Sequence, residues 1–102
     1  MRYPFSESDI LYVSYLTIKE NGVRRYGYLT IKGSVKNNGM KNVTHCILKL
    51  TKYTQHGNVI STDKLYVYGD IPAGKARTIH SMTAWPKFAK TYKLTIEEVR
   101  VG

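Results

Sequence analysis

The sequence lacks several features that would decide its structural class at once. Its single cysteine, Cys46, excludes an intramolecular disulfide and gives no information on the redox compartment. No run of about 18 or more apolar residues is present, so no transmembrane helix is predicted. No stretch of useful length has helical periodicity. The disulfide scaffold and the helical membrane protein are therefore excluded.

Acidic residues are also few: 7 Asp and Glu stand against 16 Lys and Arg, which gives a net charge of +9. The positive charges are spread evenly and form no basic tail or block. A diffuse positive field favours anionic partners such as nucleic acid, teichoic-type polymers or acidic lipid. A solvated surface kept soluble by lysine would have the same distribution, so charge alone names no partner.

The length of 102 residues predicts one domain that buries a core without metals or disulfides. Residues 1–8, which contain Pro4, are expected to form a flexible arm, and residues 9–102 a single domain. The polar N-terminus does not resemble a signal peptide. Two locations are compatible with this sequence: outside the cytoplasm, through an exporting or anchoring segment outside this chain, or in the cytoplasm.

Alternating apolar residues predict a series of short β-strands. The first strand is expected over residues 10–18. A hairpin turn is expected at residues 20–22, because Asn21 and Gly22 form the strongest short hairpin signal. The second strand is expected over residues 24–36 and alternates cleanly. Its inward set is Leu29, Ile31, Gly33 and Val35, and its outward set is Arg24, Tyr26, Tyr28, Thr30, Lys32 and Ser34.

Glycine within the second strand, at Gly33, indicates a bulge or the close approach of another backbone. A turn at residues 37–39 follows. Further strands are expected over residues 43–53, 59–68, 75–84 and 92–101, with Cys46, Leu48, Leu50 and Ile79 pointing inward. A bulge near Glu97 and Glu98 would return Val99 and Val101 to the inner face. Six to seven such strands predict an all-β, antiparallel sandwich, with a small OB-type barrel as the competing fold.

Four segments resemble the FxLYD domains and the wider group of fibronectin-like and LEA14-like sandwiches. They are residues 33–39, 46–50 with Tyr53, 57–60, and 71–74. Ile79 stands where that family has an apolar residue, often Phe, and Thr54 stands where it commonly has Asp. Over residues 29–101 the resemblance implies an immunoglobulin/fibronectin-like sandwich. It also implies an exported or membrane-anchored protein with no established active site to carry over.

No constellation of residues predicts catalysis, a metal site or a cofactor. The candidate metal ligands are His45, Cys46, His56 and His80. His45 and Cys46 are neighbours on a predicted strand and would point to opposite faces, and no metal-ligand spacing occurs. Glu97 and Glu98 would also face apart, which does not suit paired acid and base carboxylates. We therefore expect no enzyme and no bound metal.

Basic and aromatic residues share faces on two predicted strands. The candidate binding residues are Arg24, Tyr26, Tyr28 and Lys32 on one strand and Lys64, Tyr66 and Tyr68 on another. If the strands were close, they would form the stacking platform of a single-stranded nucleic-acid binder. Cross-strand tyrosine pairs that stabilise a solvent-facing sheet give the same sequence pattern. Trp85 and Phe88 are candidate contacts in a loop that is either a contact tip or a plug for one end of the sandwich.

The sequence therefore predicts a non-catalytic interaction or structural module, an accessory domain of an exported or envelope-attached protein. The alternative is a small basic β-domain that binds single-stranded nucleic acid or another anionic polymer. The partner could also be a protein, and the sequence does not predict the oligomeric state.

Overall fold

The computed structural model describes residues 12–102 and confirms the all-β class. A 3-10 turn, Val13–Tyr15, precedes six strands. They are β1 (Leu16–Arg25), β2 (Tyr28–Asn37), β3 (Val43–Tyr53), β4 (Val59–Val67), β5 (Ala76–Ala84) and β6 (Thr91–Val101). One sheet has the order β1-β2-β5 and the other β4-β3-β6, and every pairing is antiparallel. The two sheets form a six-stranded antiparallel sandwich.

The core lies between the sheets and uses alternate residues of each strand. The predicted inward residues Leu29, Ile31, Val35, Cys46, Leu48, Leu50 and Ile79 are all buried. Burying a side chain of this size stabilises the fold by about 1.5–3 kcal/mol relative to leaving it in water. Ile47 is an apolar residue on the outer face of β3, yet it too is buried, between Tyr66 of β4 and Glu98 of β6.

The first hairpin differs from the prediction. Residues 13–15 are a 3-10 turn instead of strand, and β1 runs on through Asn21 and Gly22 to Arg25. The turn is formed by Tyr26 and Gly27, whose φ angles of 53° and 78° suit a two-residue hairpin turn. Arg24 therefore belongs to β1. Residues 1–8, the predicted arm, and residues 10–11 lie outside the described part of the chain.

Gly22 has a packing role instead of a turn role, and this is why the hairpin signal misled. A Cβ at Gly22 would meet the hydroxyl of Tyr92 and lie 2.8 Å from the ring carbon that carries it. Strand β1 also keeps Ile18 opposite Val35, so that both side chains face the core. A turn at residues 20–22 would lose both the Tyr92 contact and this pairing.

Gly33 marks a close approach between backbones, as its position within a strand predicts. A Cβ there would meet the carbonyl oxygen of Lys19 and lie 2.7 Å from the Cα atom of Glu20. The close approach of the paired strands β1 and β2 at this point therefore depends on the absence of a side chain at Gly33.

The predicted bulge in β6 is confirmed. The register with β3 shifts between the pairs Ile47–Glu98 and Leu48–Ile96, and Val99 is buried beyond it. The expectation that Glu97 and Glu98 face apart was wrong, because the extra residue of the bulge lets both carboxylates reach the outer face. Within residues 12–102, no helix has the length and apolarity needed to cross a bilayer.

Candidate binding surfaces

The outer side of the β1-β2-β5 sheet carries Tyr28 and Lys32 in its central strand. Tyr28 lies between Arg25 of β1 and Ala84 of β5, and Lys32 lies between Asn21 and His80. Directly paired residues share a face of an antiparallel sheet, so these side chains form one surface. We call this outer side of the β1-β2-β5 sheet the cationic face.

Within the part of the chain that the structure describes, four cations on the cationic face have no carboxylate partner. They are Lys19, Arg25, Lys32 and Lys36, and they form no side-chain hydrogen bond or ion pair within residues 12–102. The described residues on this side include no Asp or Glu. Exposed Val23, Tyr28 and Met82 lie among the cations, as do two depressions of about 290 and 380 Å³. The surface is therefore both positive and partly apolar.

The opposite outer side, on the β4-β3-β6 sheet, carries the other half of the candidate set. Tyr66 and Tyr68 are exposed, with ring centroids 6.4 Å apart, and Lys64 lies next to them on β4. Lys64 Nζ is 3.9 Å from a carboxylate oxygen of Glu97. Glu98 lies 3.1 Å from His45 Nε2 and 3.6 Å from an Arg100 nitrogen. We call this side the ion-paired face.

The structure thus places the two predicted groups on opposite sides of the sandwich. Tyr28 and Lys32 cannot form one stacking platform with Tyr66 and Tyr68, because both sheets lie between them. Arg24 belongs to neither outer face. It pairs with inward-facing Leu29, and its guanidinium carbon lies 5.1 Å from the centre of the Trp85 ring. Each face must therefore be considered as a separate candidate surface.

Trp85 and Phe88 differ in role: one residue of their loop closes the sandwich and the other is exposed at the tip. Trp85 is partly buried and packs edge-on against Tyr92, with ring centroids 6.2 Å apart, so it helps to close one end of the sandwich. Phe88 is 72% exposed and stands at the tip of the loop. Tyr26, at the neighbouring hairpin turn, is 96% exposed. We call this end of the sandwich the Tyr26 end.

A buried lysine near the Tyr26 end was missed in the sequence. Lys52 is 2% exposed, and its Nζ donates to Asp63 Oδ2 at 3.0 Å and to the Ala84 carbonyl oxygen at 2.5 Å. The ammonium therefore joins β3 and β4 of one sheet to β5 of the other. Its position held a signal, because Lys52 shares the inward alternation of Leu48 and Leu50.

The opposite end, which we call the Asn37 end, is closed by a buried amide. Asn37 Nδ2 donates to the carbonyl oxygens of Lys41 at 2.7 Å and Ile71 at 2.9 Å. Its Oδ1 accepts from the Gly39 N–H at 3.0 Å and from the Tyr12 hydroxyl at 2.7 Å. The predicted turn at residues 37–39 therefore begins with a side chain that binds backbone groups of its own loop and of Ile71 as well as the Tyr12 hydroxyl.

Two ionisable groups have strongly shifted pKa values. Burial, followed by the hydrogen bond and the charge of Glu20, raises the pKa of Tyr92 to about 12, while the nearby Arg24 opposes the shift. The Tyr92 hydroxyl donates to Glu20 at 2.9 Å. Burial alone raises the pKa of the Cys46 thiol to about 11. Cys46 is thus a protonated core residue at neutral pH, with little thiolate for chemistry.

The four candidate metal ligands lie in different parts of the structure. Cys46 lies in the core, His45 is paired with Glu98 on the ion-paired face, His80 lies on the cationic face, and His56 is exposed in the β3–β4 turn. The described chain, residues 12–102, holds no group of three or more His, Cys, Asp or Glu side chains suited to a metal ion.

Comparison with known proteins gives one informative likeness, and it concerns the fold. No protein-family model matches the sequence, and no curated protein does. The structure is similar to a crystal structure of a DUF1425 family member from Shewanella sp. pv-4, with a TM-score of 0.55 and 15% sequence identity. The alignment covers 81% of this chain and 75% of the other. The chain thus shares its β-rich architecture with that domain.

Proposed function

We propose that this chain is a non-catalytic interaction module, an accessory domain of an exported or envelope-attached protein. The observation that carries the proposal is the contrast between the two outer faces. On the ion-paired face Glu97 and Glu98 lie beside Lys64, His45 and Arg100. The cationic face, within residues 12–102, has no carboxylate, and it carries Lys19, Arg25, Lys32 and Lys36. Arg25 and exposed Tyr28 and Met82 on this face belong to the residue types that are enriched where proteins bind a partner.

The use of polar groups inside the sandwich supports a non-catalytic role. The amide of Asn37 and the ammonium of Lys52 are both occupied by backbone carbonyls or by Asp63. Glu20 accepts from Tyr92 beside the core. Each of these groups joins separate segments of the fold, which accounts for its presence without a reaction.

We further assign the module to the FxLYD type within the immunoglobulin/fibronectin-like sandwiches. The segments that carry the resemblance supply core positions, since Val35, Leu48, Leu50 and Ile71 are buried. Exported or membrane-anchored location is a part of this proposal that rests on the resemblance alone. A reporter that is active only outside the cytoplasm, fused to the full-length gene product, tests it, and activity confined to the cytoplasm would contradict it.

The interaction role is tested by photo-crosslinking from matched positions on the two faces. A photoreactive amino acid replaces Lys32, in the central strand of the cationic face, or Lys49, in the central strand of the ion-paired face. We expect a discrete crosslinked species from position 32 and much less from position 49. Equal labelling from both positions, or none from either, would contradict the proposal.

Binding of single-stranded nucleic acid is the second candidate, and one observation favours it. Tyr28 is half exposed and lies between Arg25 and the cations further along β2, with no carboxylate on that face in the described chain. An aromatic ring flanked by cations stacks on bases of any sequence.

A salt titration with a single-stranded oligonucleotide tests this second candidate. If about three phosphates are neutralised, log K should fall by about 2 for each tenfold rise in salt. Tyr28→Ala should weaken binding several-fold, whereas Tyr66→Ala, on the other face, should leave it unchanged. Equal losses in both variants would exclude the cationic face as the binding site.

A further inference from the structure

The Tyr26 end is formed by three loops that are fixed to one another. They are the β1–β2 turn at Tyr26 and Gly27, the β3–β4 turn at residues 54–58, and the β5–β6 loop at residues 85–90. The Trp85 N–H donates to the Gly27 carbonyl oxygen at 2.8 Å, and the Lys90 N–H donates to the Tyr53 carbonyl oxygen at 2.8 Å. These backbone bonds present the loop tips together.

Two large rings stand in solvent at this end without a structural reason. Tyr26 is 96% exposed and Phe88 is 72% exposed. Tyr26 also has a φ of 53°, in the left-handed region, where Asn or Gly would cost less than an aromatic residue. An exposed aromatic residue held in a strained turn points to a role outside the fold.

The charged residues of the three loops have one sign. Arg24, Arg25, Lys87 and Lys90 lie in the loops or at the strand ends beside the rings, and the three loops contain no Asp or Glu. Two carboxylates lie behind the loops in the described chain: Glu20 accepts from Tyr92, and Asp63 is paired with Lys52. The end is thus an aromatic tip with a cationic surround.

We propose that the Tyr26 end docks on a lipid bilayer that contains anionic headgroups. The rings of Tyr26 and Phe88 enter the interfacial layer, where aromatic side chains partition well. Arg25, Lys87 and Lys90 lie against the phosphates, and each cation near such a surface strengthens binding about fivefold. This inference names one partner surface for the interaction module proposed above, and it rests on that proposal.

The shape of the end favours a bilayer over a nucleic acid or a peptide. The rings are on protruding tips, whereas base stacking needs a groove that follows the strand, and peptide docking needs a pocket or a free sheet edge. A flat, deformable interface accepts two tips at once, provided that they are held together. The backbone bond between Trp85 and Gly27 meets that condition.

Sedimentation with vesicles tests the proposal on the intact chain. The vesicles are pure phosphatidylcholine or an equimolar mixture with phosphatidylglycerol. We expect binding to the mixed vesicles that weakens with salt, and little binding to the neutral ones. Trp85, the only tryptophan of the sequence, lies beside the loop tips, and its emission should shift to the blue on docking.

Two substitutions remove the tips without harming the fold. Tyr26→Asn creates an Asn-Gly turn with Gly27, which suits the observed backbone better than tyrosine does. Phe88→Ser replaces an exposed ring. Each should weaken vesicle binding about tenfold, the loss expected when one ring no longer leaves water. Since Tyr26→Asn should not lower stability, its effect cannot be attributed to unfolding.

Matched controls lie at the Asn37 end. Met40 is 93% exposed there, and Met40→Ser should leave vesicle binding unchanged. The double variant Lys87→Gln and Lys90→Gln should weaken binding and reduce its salt dependence. The double variant Lys41→Gln and Lys75→Gln, with both changes at the Asn37 end, should have a clearly smaller effect.

The results separate this inference from the proposal on which it rests. Absence of binding to mixed vesicles, or binding that Tyr26→Asn and Phe88→Ser leave unchanged, overturns the bilayer assignment. The same holds if these variants weaken oligonucleotide binding while vesicles are not bound. If vesicles are not bound but position 32 still gives a discrete crosslink, the interaction module stands and only the lipid surface is lost.

Discussion

The two ends of the sandwich are closed in different ways. At the Asn37 end, a fully buried amide binds three backbone groups, two in the loop at residues 39–41 and one at Ile71. At the Tyr26 end, partly exposed Trp85 and Tyr92 and the buried Lys52 close the gap, and two rings remain in water. The difference indicates that the Asn37 end is closed by a rigid hydrogen-bonded network, whereas the closure of the Tyr26 end does not involve its two exposed rings.

Removal of the Asn37 amide should have the largest effect on stability. Asn37→Ala removes all four hydrogen bonds of the buried amide. The Ile71 carbonyl oxygen still accepts from the Val43 N–H and the Lys41 carbonyl oxygen from the Tyr12 hydroxyl, but the Gly39 N–H loses its acceptor. Since each hydrogen bond contributes about 1 kcal/mol, we expect a loss of about 4 kcal/mol in the free energy of unfolding. Urea denaturation measures it.

Asn38→Ala is the matched control for this change. The Asn38 amide donates only to the Thr17 hydroxyl, in an exposed position, so its removal should cost under about 1 kcal/mol. Similar losses for Asn37→Ala and Asn38→Ala would show that the buried amide does not hold the Asn37 end together.

A pair of glycines compares the rigidity of the two ends directly. A Cβ at Gly39 would meet the hydroxyl of Tyr12, and one at Gly22 would meet the hydroxyl of Tyr92. Tyr12 is buried and hydrogen-bonded to Asn37, whereas Tyr92 is partly exposed and can move. We expect Gly39→Ala to cost about 3 kcal/mol and Gly22→Ala about 1 kcal/mol by thermal unfolding. The reverse order would contradict the rigidity assigned to the Asn37 end.

The buried lysine should respond differently to truncation and to an apolar replacement. Lys52→Ala leaves a cavity and an unpaired Ala84 carbonyl, and we expect a loss of about 2 kcal/mol in stability. Asp63 is partly exposed, so water can replace its partner and limit the loss. Lys52→Met fills the space and should stay within about 1 kcal/mol of the wild type. Equal losses in chemical denaturation would show that the charge itself, and not packing, is required.

The smallest effect concerns the ionisation of Tyr92. Its pKa of about 12 exceeds the usual value of 10, so the folded protein holds this proton more tightly than the unfolded chain. The resulting stabilisation is complete below pH 10 and is lost as the pH rises toward 12. Glu20→Gln removes the carboxylate charge and should lower this pKa, which an ultraviolet titration of tyrosine detects. Superimposable titration curves would exclude the influence of Glu20.

Most of the sandwich could be predicted from alternation. In β2, and in β3 apart from Ile47 and Lys52, one set of positions is mainly apolar and the other mainly polar. Burial on one face therefore predicted the inward residues Leu29, Ile31, Leu48 and Leu50. The bulge at Glu97 was predictable because Val99 would otherwise have faced water. These inferences need only the two-residue period of a strand and the cost of exposing apolar side chains.

The parts that could not be predicted depend on contacts between distant segments. The Asn-Gly pair at Gly22 is typical of a turn, but Gly22 lies within a strand. A side chain there would collide with Tyr92 of β6, and this contact is not visible in the local sequence. Tyr28 and Tyr66 look alike on their strands, but pairing with different neighbours puts them on opposite faces. Local sequence does not state which strands are neighbours, so it could not separate the cationic face from the ion-paired face.

The unequal charge of the two faces has a consequence for how the molecule diffuses. The sandwich is a slab of 41 × 32 × 18 Å, and the broad side with Lys19, Arg25, Lys32 and Lys36 has no carboxylate among residues 12–102, whereas the other broad side has Glu97 and Glu98. Such a slab has an electric dipole across its short axis, and a negatively charged body exerts a torque that turns the carboxylate-free side, with the adjoining Tyr26 end, toward it before contact. Encounters in low salt are thus oriented from the outset, and added electrolyte lets the slab tumble freely again.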